Sequence, residues 1–206
     1  MIVTLSAAYG AGGGVIGREL ADRLDVPFCD RAIAMGIAHH LDVSVDDALA
    51  YEQPADRGRL AKLLSAFAGS DPGVTMALPP DMITPEDVHR ASREALLAQM
   101  ATGEGVILGR GGGAELRDEP HVLRVRLTGP AARRTERAMA HANIDEVTAE
   151  RARRHLDHVH ADYVRHFYGI DIDDARLYHL TIDSASLPTD LCVDLLEQAA
   201  RAMSDG

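Results

Sequence analysis

Residues 4–20 read "TLSAAYGAGGGVIGREL", and this stretch constrains the chain more than any other. An apolar, β-branched run enters a glycine cluster and leaves as an amphipathic pattern with Ile16, Leu20 and Leu24 on one face. A strand that stops in glycines and restarts as a helix exposes unpaired N–H groups at the helix N-terminus, where anions bind. A phosphate-binding loop would sit here, yet no lysine accompanies it.

Three readings fit the cluster. In a P-loop, GxxxxGK[ST], backbone N–H groups surround the phosphates, lysine adds charge and a hydroxyl holds Mg2+. With Gly12 as the second motif glycine, Ala7 stands at the first, Gly13 at the lysine and Gly14 at the hydroxyl residue. A dinucleotide fingerprint is the second reading, since Gly12, Gly14 and Gly17 satisfy GxGxxG and Asp30 could take a ribose hydroxyl. The third is a plain strand-to-helix turn.

Strand-like and helix-like segments alternate along the chain. Strands are predicted at 2–6, 26–30, 105–110, 121–127 and 178–183. Helices are predicted at about 14–25, 31–41, 44–51, 56–68, 84–102, 130–142, 145–169 and 188–203, with a Gly-, Pro- and Asp-dense loop at 68–82. Thr84, Pro85 and Asp87 form a capping-box-like helix start. Such alternation implies βαβ units and a parallel sheet with helices on both faces. The 206 residues, 46% of them hydrophobic, suffice for one sizeable core and a single domain with helical insertions.

Charge narrows the function classes. At −11, the chain is a poor general surface for nucleic acid or membrane, both of which attract basic patches. Any anionic ligand must be held by a few cations and by backbone, and those cations are arginines, since Lys62 is the only lysine. "MIVTLSAAYG" lacks a basic leader and no run approaches the ~20 apolar residues of a membrane span, so a cytoplasmic location is expected. Cys29 and Cys192 have no CxxC partner and read as small buried hydrophobes.

Four segments in order carry a family resemblance. "YGAGGGVIGRELADRLDVPFCDRAI" resembles the opening of the cytidylate kinase-like family, with its glycine loop and "fyDRe" segment. "GVILGRGGGAEL" (105–116) is similar to that family's "ViiGRggn", and "LRVRLTGPAARRTERAM" (123–139) to its "VRlvAP…R…R". "DHVHADYVRHFYGIDIDDARLYHLTIDSASL" (157–187) resembles "DkeRaeYyrkfyg…YdLvinT…l". The similarities span the chain apart from 43–83. They imply an α/β P-loop fold, a parallel five-stranded sheet with helices on both faces, a helical acceptor-binding insertion at 31–103 and a helical lid at 130–170.

The implied activity is ATP-dependent phosphorylation of a nucleoside monophosphate, cytidylate by family name, with Mg2+. The alternatives are a non-catalytic nucleotide-binding protein and, behind it, an NAD(P)-binding reductase. Members commonly carry Gly where other P-loops carry Lys, so the full positive charges must come from arginines. Gly10, Ala11, Gly12, Gly13 and Gly14 would hold the donor phosphates through a nest of N–H groups. Arg110 after the third strand, with Asp30, Arg31 and Asp157, would hold the acceptor, and Arg133 and Arg137, one turn apart, would close over the transferring phosphoryl. Arg18 could lean back towards the loop.

Two departures from the family pattern stand out. His160 occupies the place of the Arg in "DkeR", leaving Arg153, Arg154 or Arg165 to compensate, and His179 that of the Asp in "Yd". "HLDHVH" puts His155 and His158 on one helical face but Asp157 and His160 off it, so a solvated polar helix is expected and no metal ligand is assigned. Ser6 is the hydroxyl nearest the loop.

Overall fold

The computed structural model describes residues 1–30, 85–109 and 111–204. The helices and loop expected between 31 and 84 lie outside them, as do Thr84, Arg31 and Arg110. The sheet and the glycine loop belong to the compact unit formed by residues 1–31 and 92–206.

Five strands make one parallel sheet: β1 (Ile2–Ala7), β2 (Phe28–Asp30), β3 (Gly105–Leu108), β4 (Val122–Thr128) and β5 (Leu180–Asp183). Their order is β2-β3-β1-β4-β5, so the glycine loop after β1 leaves from the middle of the sheet. The strands read at 26–30 and 178–183 begin later, at Phe28 and Leu180, and the one read at 105–110 ends at Leu108.

Six α-helices accompany the sheet among the described residues: α1 (Gly13–Leu24), α2 (Pro85–Thr102), α3 (Gly112–Glu115), α4 (Ala131–Ala142), α5 (Glu146–Tyr168) and α6 (Thr189–Ser204). None is long and apolar enough to cross a membrane. α1 ends where Asp25 turns left-handed and its N–H caps Ala21 and Asp22, and α5 begins on Asp145, whose carboxylate accepts from the Thr148 N–H.

Side-chain alternation gives the two sheet faces different characters. Val3 and Leu5 of β1, with Val125 and Leu127 of β4, pack against Ile16 and Leu20 of α1 and Val193 and Leu196 of α6. Burying each of these side chains contributes about 1.5–3 kcal/mol. The opposite face grows polar along the strands. Ile2 and Val122 join Leu96, Ile107 and Leu116 in a smaller cluster, but Thr4, Ser6 and Arg126 follow on the same face and are equally buried. Polarity is therefore placed at the C-terminal end of the central strands, the end where open α/β sheets bind ligands.

α5 departs from the expected solvated helix. Ala149, Ala152, Leu156, His160, Tyr163 and Val164 form a buried stripe at helical spacing, with His160 only 3% exposed. The histidine is interior packing surface and not part of a polar face.

Candidate functional site

The loop after β1 is built on two left-handed glycines, Gly10 (φ +77°) and Gly12 (φ +78°). Both are also pressed by α4. A Cβ on Gly10 would sit on the carbonyl oxygen of Arg134 and 2.8 Å from its carbon, and one on Gly12 would lie 2.5 Å from Arg137 Nη2. Only glycine satisfies both the conformation and the space.

Side chains brace the loop from behind. The Arg134 guanidinium, 8% exposed, donates to the Tyr9 carbonyl (2.9 Å), the Gly129 carbonyl (3.0 Å) and Asp157 Oδ2 (2.8 Å). Asp157 Oδ1 in turn accepts the Tyr9 N–H (3.1 Å), and Arg153 Nη1 stands 3.7 Å from Asp157 Oδ2. The fully buried Ser184 donates its hydroxyl to the Ala11 carbonyl (2.8 Å), and Arg137 donates to the Ser184 carbonyl and to Thr189 Oγ1 (3.2 Å).

These bonds fix the direction of the loop amides. In a trans peptide the C=O of one residue and the N–H of the next point oppositely. Drawing the Tyr9 carbonyl to Arg134 and the Ala11 carbonyl to Ser184 therefore turns the Gly10 N–H away from Arg134 and the Gly12 N–H away from Ser184. Alternate amides facing one way at a helix N-terminus form an anion-binding concavity.

The missing lysine has a steric explanation. A Cβ at Gly13 would lie 2.5 Å from the Ala7 Cβ and 3.0 Å from Leu108 Cδ1. Ala7 replaces the first motif glycine and its methyl fills the volume that a side chain at 13 would need. A Cβ on Gly17, of the GxGxxG pattern, would lie 2.6 Å from Phe28 Cε2, so this glycine serves helix–strand packing.

The other sequence candidates are placed as follows. Arg133 is exposed on α4 and meets Glu136 at 3.5 Å, whereas Arg137 is turned inward against Gly12, so the two do not share a free face. Asp30 ends β2 opposite Leu108. Arg110 lies outside the described residues, but the Gly109 N–H bonds the Leu5 carbonyl (3.0 Å), which holds the end of β3 beside the end of β1. Arg18 lies over the Phe28 ring at 5.1 Å. Of the arginines that could compensate for His160, Arg153 approaches Asp157, while Arg154 pairs with Glu150 and Arg165 with Asp162.

Ser6 is committed elsewhere. It is 2% exposed, accepts from Arg126 Nη1 (3.2 Å) and meets the Tyr178 hydroxyl (3.4 Å), which itself donates to the Ile172 carbonyl. Burial pushes the Tyr178 phenol upward. Among the described residues no group of three or more His, Cys, Asp or Glu side chains could hold a metal ion.

Sequence reading missed Ser184 and the inward role of Arg134. Nothing in the sequence separates Arg134 from its neighbours Arg133 and Arg137, because only the third dimension shows which guanidinium faces the loop. His179 is likewise explained by its setting. Its Nδ1 accepts the Arg124 N–H (3.2 Å) and its Nε2 lies 3.0 Å from Arg124 Nη2, and burial followed by the Arg124 charge holds its pKa below the usual imidazole value.

Solved structures share this architecture. An uncharacterized protein from Eubacterium ventriosum is 17% identical with a TM-score of 0.68, covering 98% of this chain and 99% of its own. A shikimate kinase from Bacteroides thetaiotaomicron is 13% identical (TM-score 0.51, 98% of each chain), and a gluconokinase from Sinorhizobium meliloti 15% (TM-score 0.51, 98% and 93%). At these identities the likeness is one of fold, that of P-loop kinases. No curated protein matches the sequence. The pattern of the cytidylate kinase-like family, however, matches residues 2–186, nearly the whole chain, and the protein belongs to that family.

Proposed function

We propose that the protein transfers the terminal phosphoryl group of ATP to a small acceptor, a nucleoside monophosphate with cytidylate as the first candidate. The observation that carries this reading is the loop after β1, where two left-handed glycines follow carbonyls held by Arg134 and Ser184, which leaves the Gly10 and Gly12 N–H groups turned away from those partners. In this reading Gly10, Gly12, Gly13 and Gly14 hold the donor phosphates, while Ala11, whose N–H is donated to the Ala8 carbonyl at 3.0 Å, shapes the loop. Arg110, Asp30 and Arg31 hold the acceptor at the ends of β3 and β2, with residues 31–103 as the acceptor-binding insertion. Residues 130–170 form the lid, from which Arg133 extends to the transferring group; Arg137 is placed to set the loop at Gly12.

Asp157 fits loop bracing better than acceptor contact, since both its oxygens are engaged by Tyr9 and Arg134. Transfer would be in-line, and catalysis would rest on positioning and on charge stabilisation of the equatorial oxygens. With Ser6 engaged and Gly14 lacking a hydroxyl, the described residues offer no fitted ligand set for Mg2+, which would rest on phosphate oxygens and water. The cytoplasm is the compartment that supplies such substrates.

A coupled assay with ATP and each of CMP, dCMP, UMP and AMP tests the reading. Turnover with one acceptor, abolished by Arg110→Ala, supports it. Nucleotide binding without turnover on any acceptor would replace it with the second reading, a nucleotide-binding protein that keeps the fold. That second reading is favoured by one observation, the closure of position 13 to lysine.

A further inference from the structure

The closed position at Gly13 leaves open how the loop offsets phosphate charge, and among the described residues the cations set against the loop are Arg134 and Arg137 of α4. We infer that Arg134 supplies, through the Tyr9–Gly10 peptide, the positive field that a loop lysine would supply from in front. The inference rests on the loop being the donor-phosphate site.

Three features carry it. Arg134 is 8% exposed, so its charge is poorly screened. Its Nη1 bonds the Tyr9 carbonyl at 2.9 Å. A charged donor on a carbonyl polarises that peptide and strengthens its N–H, here that of Gly10, as a donor on the opposite side. Finally, the local charge is graded: Arg134, Arg153 and Arg154 bring three positive charges and Asp157 and Glu150 two negative, leaving a single net positive charge in this ion-pair group. Arg137, against Gly12, adds a second cation to the same side of the loop.

Arg134 is thus a positioning residue that also sets potential, and Asp157 moderates that potential while holding Tyr9. Bracing and charge make opposite predictions for Asp157. A pure brace requires that weakening it loosen phosphate binding. A charge source requires that neutralising the carboxylate tighten it, because the net charge behind the loop rises by one.

Calorimetric titration of the full chain with inorganic tripolyphosphate, Mg2+-free, separates them. Asp157→Asn keeps one oxygen for the Tyr9 N–H, turns its NH2 toward Arg134, and is expected to bind about fivefold tighter, because the negative charge removed outweighs the one bond lost at Arg134, which keeps its bonds to Tyr9 and Gly129. Arg134→Met is expected to bind at least about tenfold weaker, and Arg134→Lys, which keeps the charge but not the fork, to stay within about threefold of wild type. Should Arg134→Met not fold, the sign of the Asp157→Asn change decides alone. Weaker binding by Asp157→Asn, or equal loss in Arg134→Lys and Arg134→Met, overturns the inference while leaving the phosphate site intact. Absence of tripolyphosphate binding in the wild type overturns both the site and the inference.

Discussion

Gly10→Ala tests how tightly the loop is held. A methyl at residue 10 would lie 2.8 Å from the carbonyl carbon of Arg134 and closer still to its oxygen. Carbon–carbon contact is comfortable near about 3.5 Å, so the loop must retreat by about 0.7 Å or more. The Arg134–Tyr9 bond, 2.9 Å in the native loop, then stretches beyond hydrogen-bonding reach, and the Tyr9–Asp157 bond at 3.1 Å goes with it. Losing the Arg134–Tyr9 bond alone costs about 1.5–3 kcal/mol, and a side chain at positive φ about 1–2 kcal/mol more. The total is about 4 kcal/mol, or roughly 8–16 °C in Tm for a chain of this size. Gly103 supplies the control, with φ +78° and nothing within 4 Å of its would-be Cβ. Gly103→Ala carries the conformational cost alone, about 1–2 kcal/mol. Thermal unfolding of the two variants by circular dichroism measures the difference. Equal Tm losses would refute the claim that α4 clamps the loop at Gly10.

Further outcomes follow from the same geometry. Ser184→Ala removes the donor on the buried Ala11 carbonyl and is expected to cost about 1–3 kcal/mol in urea unfolding while weakening tripolyphosphate binding; unchanged affinity would show that Ser184 does not orient the Gly12 amide. His179 has a folded-state pKa below its ordinary 6.5, so the unfolded chain takes up the proton first, and stability falls as pH drops below about 6.5 and is unaffected above it. His179→Gln should flatten that limb, and parallel Tm profiles for the two proteins between pH 7 and 5.5 would contradict this. Cys192 is fully buried and burial raises its thiol pKa, so a thiol reagent should label Cys29 in the native protein and Cys192 only on unfolding. Simultaneous labelling of both would count against the packing of α6.

The parts legible in the sequence were those with local causes. Apolar periodicity marked α1 through Ile16 and Leu20, and the glycine run marked the loop, because a strand-to-helix turn writes its needs into consecutive residues. The short α3 escaped because four residues, two of them glycine, have no periodicity to detect. The helix at α5 was legible but its inner face was not, since His160 is polar by type and interior by position. Least legible was the division of labour among Arg133, Arg134 and Arg137. They sit within five residues of one another, yet one meets solvent, one Tyr9 and one Ser184, a distinction made by segments 47 to 125 residues away in sequence.

The contact between Ala7 and Gly13 makes the loop's chemistry hard to reverse. Lysine at 13 meets the methyl at 7, so a loop lysine is not one substitution away but two, the first of which must empty a space before the second can fill it. Gly13→Lys alone should be a poor protein, and Ala7→Gly alone a loosened one, so the pair defines a valley between two working loops. A chain in this state improves its phosphate site most readily by adjusting the arginines behind it, and directed evolution for stronger donor binding should find substitutions on α4 and α5 before it finds a lysine in the loop.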